Sequence, residues 1–457
     1  MGNRPWDAVR ELACGSIVLD YSRDATAAVL FQSVERQPGR TSQLGVIAPW
    51  RYSRKKARSE FSSGTHAWRL ERHSVVYWLK RLLCAGGSII MWDENVTPRW
   101  PNTAPDFNRL LAAVTRSGIP DRVPFIELFA DREIMAAVLG ENIIQPAARD
   151  REAMEDLLRQ RIRFNLALGY DYVTAGPALN LNISRLSAED TAGELGRAER
   201  HWQDEARGLV ETTEDFERYP WPAPADTDCS ELEFVAEHLP EGMGVIGVTV
   251  GVLELVMWLM GFVPFSMALY DQPHLIHALF DKVEELLVPA YETMASMPEV
   301  GAVFLGDDMG YRSGTFIRPE QMRQYVFPIQ KKLVQIAHRH GKPFLLHSCG
   351  NLEAIMDDLI DSVGIDGKHS FEDTFLPVTE AKRLYGGRIS ILGGVDVDMM
   401  CRSTEDEVRA YTRRVLEACM PGGGYALGTG NSVANYIPVR NYLAMLDEGM
   451  KVGWYAS

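Results

Sequence analysis

Phe344-Leu345-Leu346-His347-Ser348-Cys349-Gly350-Asn351 decides how this 457-residue chain is read. An apolar run of this length suits a strand buried on both faces, and Gly350 marks where it ends. Side chains two positions apart on a strand point the same way. His347 and Cys349 therefore converge at the strand's exit, on one metal ion or one substrate atom. Imidazole and thiolate are usual zinc donors, but a structural zinc site has four ligands. Two residues begin a site without completing it.

Similar short runs recur on both sides. Strands are expected at Val123–Leu128, Tyr170–Ala175, Val245–Val250, Ala302–Leu305, Pro343–His347, Ile365–His369, Ile389–Leu392 and Tyr425–Leu427. Helical patterns separate them. Met154, Leu157, Leu158, Ile162 and Leu166 form one apolar face between Glu152 and Leu168. A helix opened by Pro319 should run to Gly341, with Pro328 as a kink. Alternating strands and helices give an α/β fold, and eight such units over residues 91–457 count to a (β/α)8 TIM barrel. A doubly wound open sheet is the alternative.

In a barrel, chemistry sits where strands end. Those exits carry Glu127, Glu254, Asp307-Asp308, His347 with Cys349, Lys368-His369, Asp396 with Asp398, and Gly428-Thr429-Gly430-Asn431. Each has a plainer explanation. Asp307-Asp308 could cap the next helix, His347 and Cys349 could be packing residues, and Glu254 could be a cap or a surface carboxylate. His369 suits a structural histidine. Buried, Glu254 would have a raised pKa fit for proton transfer. Cys419 lies before the last strand and belongs at the opposite end, and Gly422-Gly423-Gly424 reads as a turn because no helix follows it.

The net charge of −15 excludes nucleic acid as the expected partner. Charge is uneven: residues 1–90 hold 14 Lys and Arg against 7 Asp and Glu, the rest 33 against 55. That break sets residues 1–90 apart as a basic, disordered extension, or else a basic arm for RNA or an acidic partner. A third possibility is that Met91 is the true start, with Gly86-Gly87 translated from a ribosome-binding sequence. Six cysteines form no disulfide pattern. No signal segment is visible, so the expected location is cytoplasmic. Gly244–Phe265 is nearly all apolar, but Glu254 and its glycines favour a buried strand and helix over a membrane span.

Residues 105–450 resemble the uroporphyrinogen decarboxylase superfamily, and within it the corrinoid-linked methyltransferase branch. The likeness rests on Asp121-Arg122-Val123-Pro124, Gly306-Asp307-Asp308-Met309-Gly310, the stretch quoted first, Gly393-Gly394-Val395-Asp396, and Gly428-Thr429-Gly430-Asn431-Ser432-Val433. It implies a (β/α)8 barrel and two chemistries. Decarboxylases of the superfamily carry Arg-Gln-Ala-Gly-Arg after the first strand. This chain has Glu127-Leu128-Phe129-Ala130-Asp131-Arg132 there, and its strand exits show more acids than bases. The methyltransferases hold zinc through a His-x-Cys pair, matched by His347 and Cys349, and a later cysteine. Here Asn431 lies near that cysteine's place, so a third ligand would be Asp307, with Asp308 or Glu127 as substitutes. A corrinoid would come on a partner protein, because no corrinoid-ligating motif is present. The resemblance thus implies transfer of a methyl group from a small methylated or methoxylated substrate. Asp307, Asp308 and Glu254 would be catalytic, and Glu127, Asn431, Asp396 and Lys368 would bind substrate. Decarboxylation of uroporphyrinogen or a related acid is the second possibility, and a catalytically inactive binding subunit the third.

Overall fold

The computed structural model describes residues 98–455, apart from 101–102, 144, 147–149, 192–194 and 198, together with short backbone strands between residues 10 and 51. Apart from those strands, residues 1–97 lie outside the described set. So do the expectations for residues 1–90 as an extension or arm and for Met91 as the start. Two compact units are present, Met1–Ile89 and Ile90–Ser457.

The second unit is built on a seven-stranded parallel sheet: β1 (Tyr172–Ala175), β2 (Gly244–Val250), β3 (Val300–Gly306), β4 (Phe344–His347), β5 (Gly367–His369), β6 (Ser390–Leu392) and β7 (Tyr425–Ala426). Each pairs with the next in chain order. Helices on the connections cover the sheet, so β4, β5 and β6 are buried throughout. Register sets Gly306 beside His347 and His347 beside His369, which brings three strand exits to one level.

Val123–Leu128 takes the eighth place. Phe125 bridges Leu427 in parallel, Ile126 N donates to Leu427 O at 2.8 Å, and Leu427 N donates to Pro124 O at 2.9 Å. At its base Arg122 reaches Gly169 O, and Arg109 pairs with both Asp121 and the buried Asp171. The sheet is thus curled into a TIM-type α/β barrel.

Closure is different on the other side. Among the described residues no backbone ladder joins Val123–Leu128 to β1. The Tyr172 hydroxyl stands in for one: it accepts from Glu127 N at 2.7 Å and donates to Glu127 O at 2.9 Å. Gly244 N takes the Asp171 carbonyl, so the Tyr172 and Thr174 carbonyls face the seam. Side chains satisfy them, Asn165 Nδ2 at 2.8 Å and Arg161 Nη1 at 3.3 Å. Tyr172→Phe should orphan both Glu127 backbone groups and destabilise the protein by about 1–3 kcal/mol. Urea denaturation against wild type measures it; an unchanged midpoint would show that the hydroxyl does not close the barrel.

The expected helix Glu152–Leu168 is Arg151–Ala167. The helix from Pro319 is interrupted rather than simply kinked, with Met322–Val326 as a π segment before Phe327–Arg339. Pro328 has no N–H to offer, so the turn before it widens. The apolar Gly244–Phe265 stretch is β2, the buried helix Val252–Met260 and the start of Phe262–Asp271, bent by 97° at their junction. Among the described residues no single helix is long and apolar enough to cross a membrane.

Candidate metal centre and active site

The exits of β3 and β4 form the centre. At the end of β3, Asp307 and Asp308 point to different places. Helix Val252–Met260 begins with Gly251, which has no side chain to cap the first N–H groups. Asp307 caps them from the neighbouring strand. Its carboxylate accepts from Val252 N, Leu253 N and Glu254 N at 2.9–3.1 Å and from Gln330 Nε2 at 2.7 Å. A Cβ on Gly251 would lie 2.1 Å from that of Asp307, so the close approach needs glycine. Burial pushes the Asp307 carboxyl up to about 7. Asp307, expected as a ligand or catalytic acid, is instead a helix cap: four donors occupy its carboxylate, and the three convergent donors are Asp308, His347 and Cys349.

Asp308 faces the cluster. Its Oδ1 accepts from Cys349 N at 2.7 Å and lies 3.5 Å from His347 Nε2. Cys349 Sγ is also 3.5 Å from Nε2. A carboxylate oxygen, an imidazole nitrogen and a sulfur all lie within 4.8 Å of one another. Gly350, at φ +85°, makes the loop possible, because a Cβ there would lie 2.2 Å from the Gly310 backbone. Burial and the Lys368 charge hold His347 down to about 3, so the ring is neutral with a lone pair to give. Burial and Asp308 push the Cys349 thiol well up, and a cation reverses that effect by stabilising the thiolate. The three donors fit a zinc centre with an open position.

Asn431 also belongs here. Its Oδ1 accepts from Ser432 N at 2.8 Å, which fixes the amide so that Nδ2 donates to Cys349 Sγ at 3.1 Å. It also lines the cavity and so remains available to a substrate. Glu254 lines the same cavity. Burial, then the Asp308 and Asp307 charges, push its carboxyl far above the usual range, and Asp308 is also raised.

Three expected substrate binders are engaged elsewhere. Lys368 Nζ donates to the carbonyls of Ser348, His369 and Ser370 at 3.1, 3.2 and 2.6 Å, which uses all three of its donors. Asp396 accepts from Met399 N and Asp373 N, as a helix cap and loop tie. Glu127 lines the cavity, but Thr429 N and Oγ1 hold it at 2.9 and 2.5 Å, and burial pushes it up to about 8. Asp398 pairs with Arg402 at the surface.

His369 is a residue that sequence reasoning undervalued. Its Nδ1 lies 2.8 Å from His347 Nδ1 and so fixes the ring that presents Nε2 to the cluster. The strand register Gly367-Lys368-His369 beside Leu345-Leu346-His347 was the signal for it. Partners of ligating histidines are worth about 10–100-fold in metal affinity. His369→Leu should weaken zinc binding by about that factor in chelator competition. An unchanged affinity would reduce His369 to packing.

The cavity above these residues measures about 810 Å³. The profile described as Uroporphyrinogen decarboxylase (URO-D) matches residues 207–451. The chain belongs to the uroporphyrinogen decarboxylase (URO-D) family. Within this family it is 24% identical over 201 residues to uroporphyrinogen decarboxylase of Anaeromyxobacter dehalogenans, covering 42% of this chain and 53% of that one. It is 25% identical over 170 residues to the methylcobamide:CoM methyltransferase MtaA of Methanosarcina barkeri, covering 37% and 48%. The chain thus spans about half the length of these URO-D-like relatives. A methyltransferase from Methanosarcina mazei has the same fold, with a TM-score of 0.56 and 18% identity over 75% of this chain and 97% of that one.

Proposed function

We propose that this URO-D family protein is a zinc-dependent methyltransferase that moves a methyl group between a small methylated or methoxylated substrate and a corrinoid carried by a partner protein. The convergence of Asp308, His347 and Cys349 on one point is the observation that carries this, and the likeness to MtaA agrees with it. Decarboxylation without a cofactor would leave the three metal-type donors unexplained.

His347 Nε2, Cys349 Sγ and one Asp308 oxygen would hold the zinc. When bound, it supplies Lewis acidity that favours the deprotonated form of a thiol or hydroxyl beside it. The chain's own residues do the rest. His369 holds the His347 ring in place, Asn431 Nδ2 steadies Cys349 Sγ, and Glu254 lines the cavity with its carboxyl raised by burial. Glu254 would give a proton to a leaving oxygen or sulfur as its methyl group departs. Lys368 offsets the negative charge of the cluster from beneath.

Stoichiometric zinc in purified protein, with methylation of reduced cobalamin by methyl ethers followed by absorbance, is the expected result. Protein without zinc that releases carbon dioxide from a porphyrinogen would establish the decarboxylase instead.

A further inference from the structure

The seam beside β1 does more than interrupt the ladder. The lining that includes His347 and Asp308 continues past Thr174 and Ala175 to Met154, Leu157 and Phe164, on the helix that packs outside β1. In a barrel closed all round by backbone pairing, the sheet separates the middle of each outer helix from the interior. Here the cavity reaches one of them. The seam's polar groups are already satisfied: Tyr172 Oη serves Glu127 N and O, while Asn165 and Arg161 serve the Tyr172 and Thr174 carbonyls. Arg161 also faces Glu231 at 3.9 Å. The lining also carries Arg132, Gln145 and Glu231, and the rest of it beside the seam is mainly apolar side chain. Such a surface holds water poorly and gains from covering by an apolar group. A substrate as small as methanol would leave it uncovered.

We infer that this passage holds the body of the substrate, an elongated and largely apolar methyl ether or thioether of aryl size or longer, with its methyl group at the Asp308–His347–Cys349 cluster. The orientation rests on the methyl-transfer function proposed above; the occupancy of the passage does not. Met154, Leu157 and Phe164 then set which substrates fit, because they form its far wall.

Equilibrium binding of anisole and 4-butylanisole to the metal-free full-length chain, measured by calorimetry, separates the two ideas. The longer ether should bind about tenfold or more tightly, since its added methylenes leave water for an apolar wall. Met154→Trp, which fills the passage, should abolish that difference while anisole still binds, and Leu157→Phe, one turn along the same helix, should reduce it. Cobalt(II) absorbance at the cluster reports that each variant is folded. Equal affinity for the two ethers in wild type, or equal weakening of both by the filling substitutions, overturns the inference. Chain-length discrimination without metal binding or methyl transfer would overturn the proposed function and leave the passage standing. Methyl transfer without discrimination would do the reverse.

Discussion

Cys349→Ser is expected to lower zinc affinity by at least about 100-fold and to abolish methyl transfer, with the fold intact. Loss of an outer partner of a zinc ligand already costs about 10–100-fold, and a direct sulfur donor is worth more. Serine keeps the size and the contact with Asn431 Nδ2 but offers a hydroxyl in place of a soft thiolate. Its backbone N still donates to Asp308, so the loop is held. Metal content after dialysis against a chelator measures the effect. Asp308→Asn should fall in the same direction and by less, because a neutral amide oxygen remains. Full zinc retention by Cys349→Ser would remove the sulfur from the centre and, with it, the proposed chemistry.

Asp307→Ala is the second large effect, and it falls on stability. The substitution orphans Val252 N, Leu253 N, Glu254 N and Gln330 Nε2 in a fully buried setting. Each buried unsatisfied donor costs about 1–3 kcal/mol, so a loss of at least about 3 kcal/mol is expected. Denaturant titration beside Asp308→Ala distinguishes the neighbours. Asp307→Ala should be the unstable protein and Asp308→Ala the stable one that fails to hold zinc. The reverse pattern would exchange the roles assigned to the two carboxylates.

Much of this was visible in the residues, because the barrel announces itself through short apolar runs alternating with helical faces. The i, i+2 spacing of His347 and Cys349 fixed their common direction before any coordinates. Adjacent residues gave no such guide. Asp307 and Asp308 differ by one position, and only the pull of an uncapped helix start at Gly251 decides which turns outward to the cavity. Lys368 and Asp396 resemble site residues by position, yet nearby backbone groups claim them: Asp396 caps the helix that starts after it, and Lys368 is held by the carbonyls of Ser348, His369 and Ser370. A (β/α)8 count implies a ladder on both sides of Val123–Leu128; one side is closed instead by a phenol hydroxyl, which a strand pattern does not encode.

The contact between the two ring nitrogens of His347 and His369 has a consequence for tautomers. Burial keeps both imidazoles uncharged, so the pair carries two protons, and one of them lies between the facing Nδ1 atoms. The other is on one of the two remaining Nε2 atoms. A cation held at His347 Nε2 would exclude it from there and leave it on His369 Nε2. Arrival of an ion would thereby be registered one residue deeper in the barrel, as a change of tautomer that nitrogen-15 chemical shifts of the two rings would record.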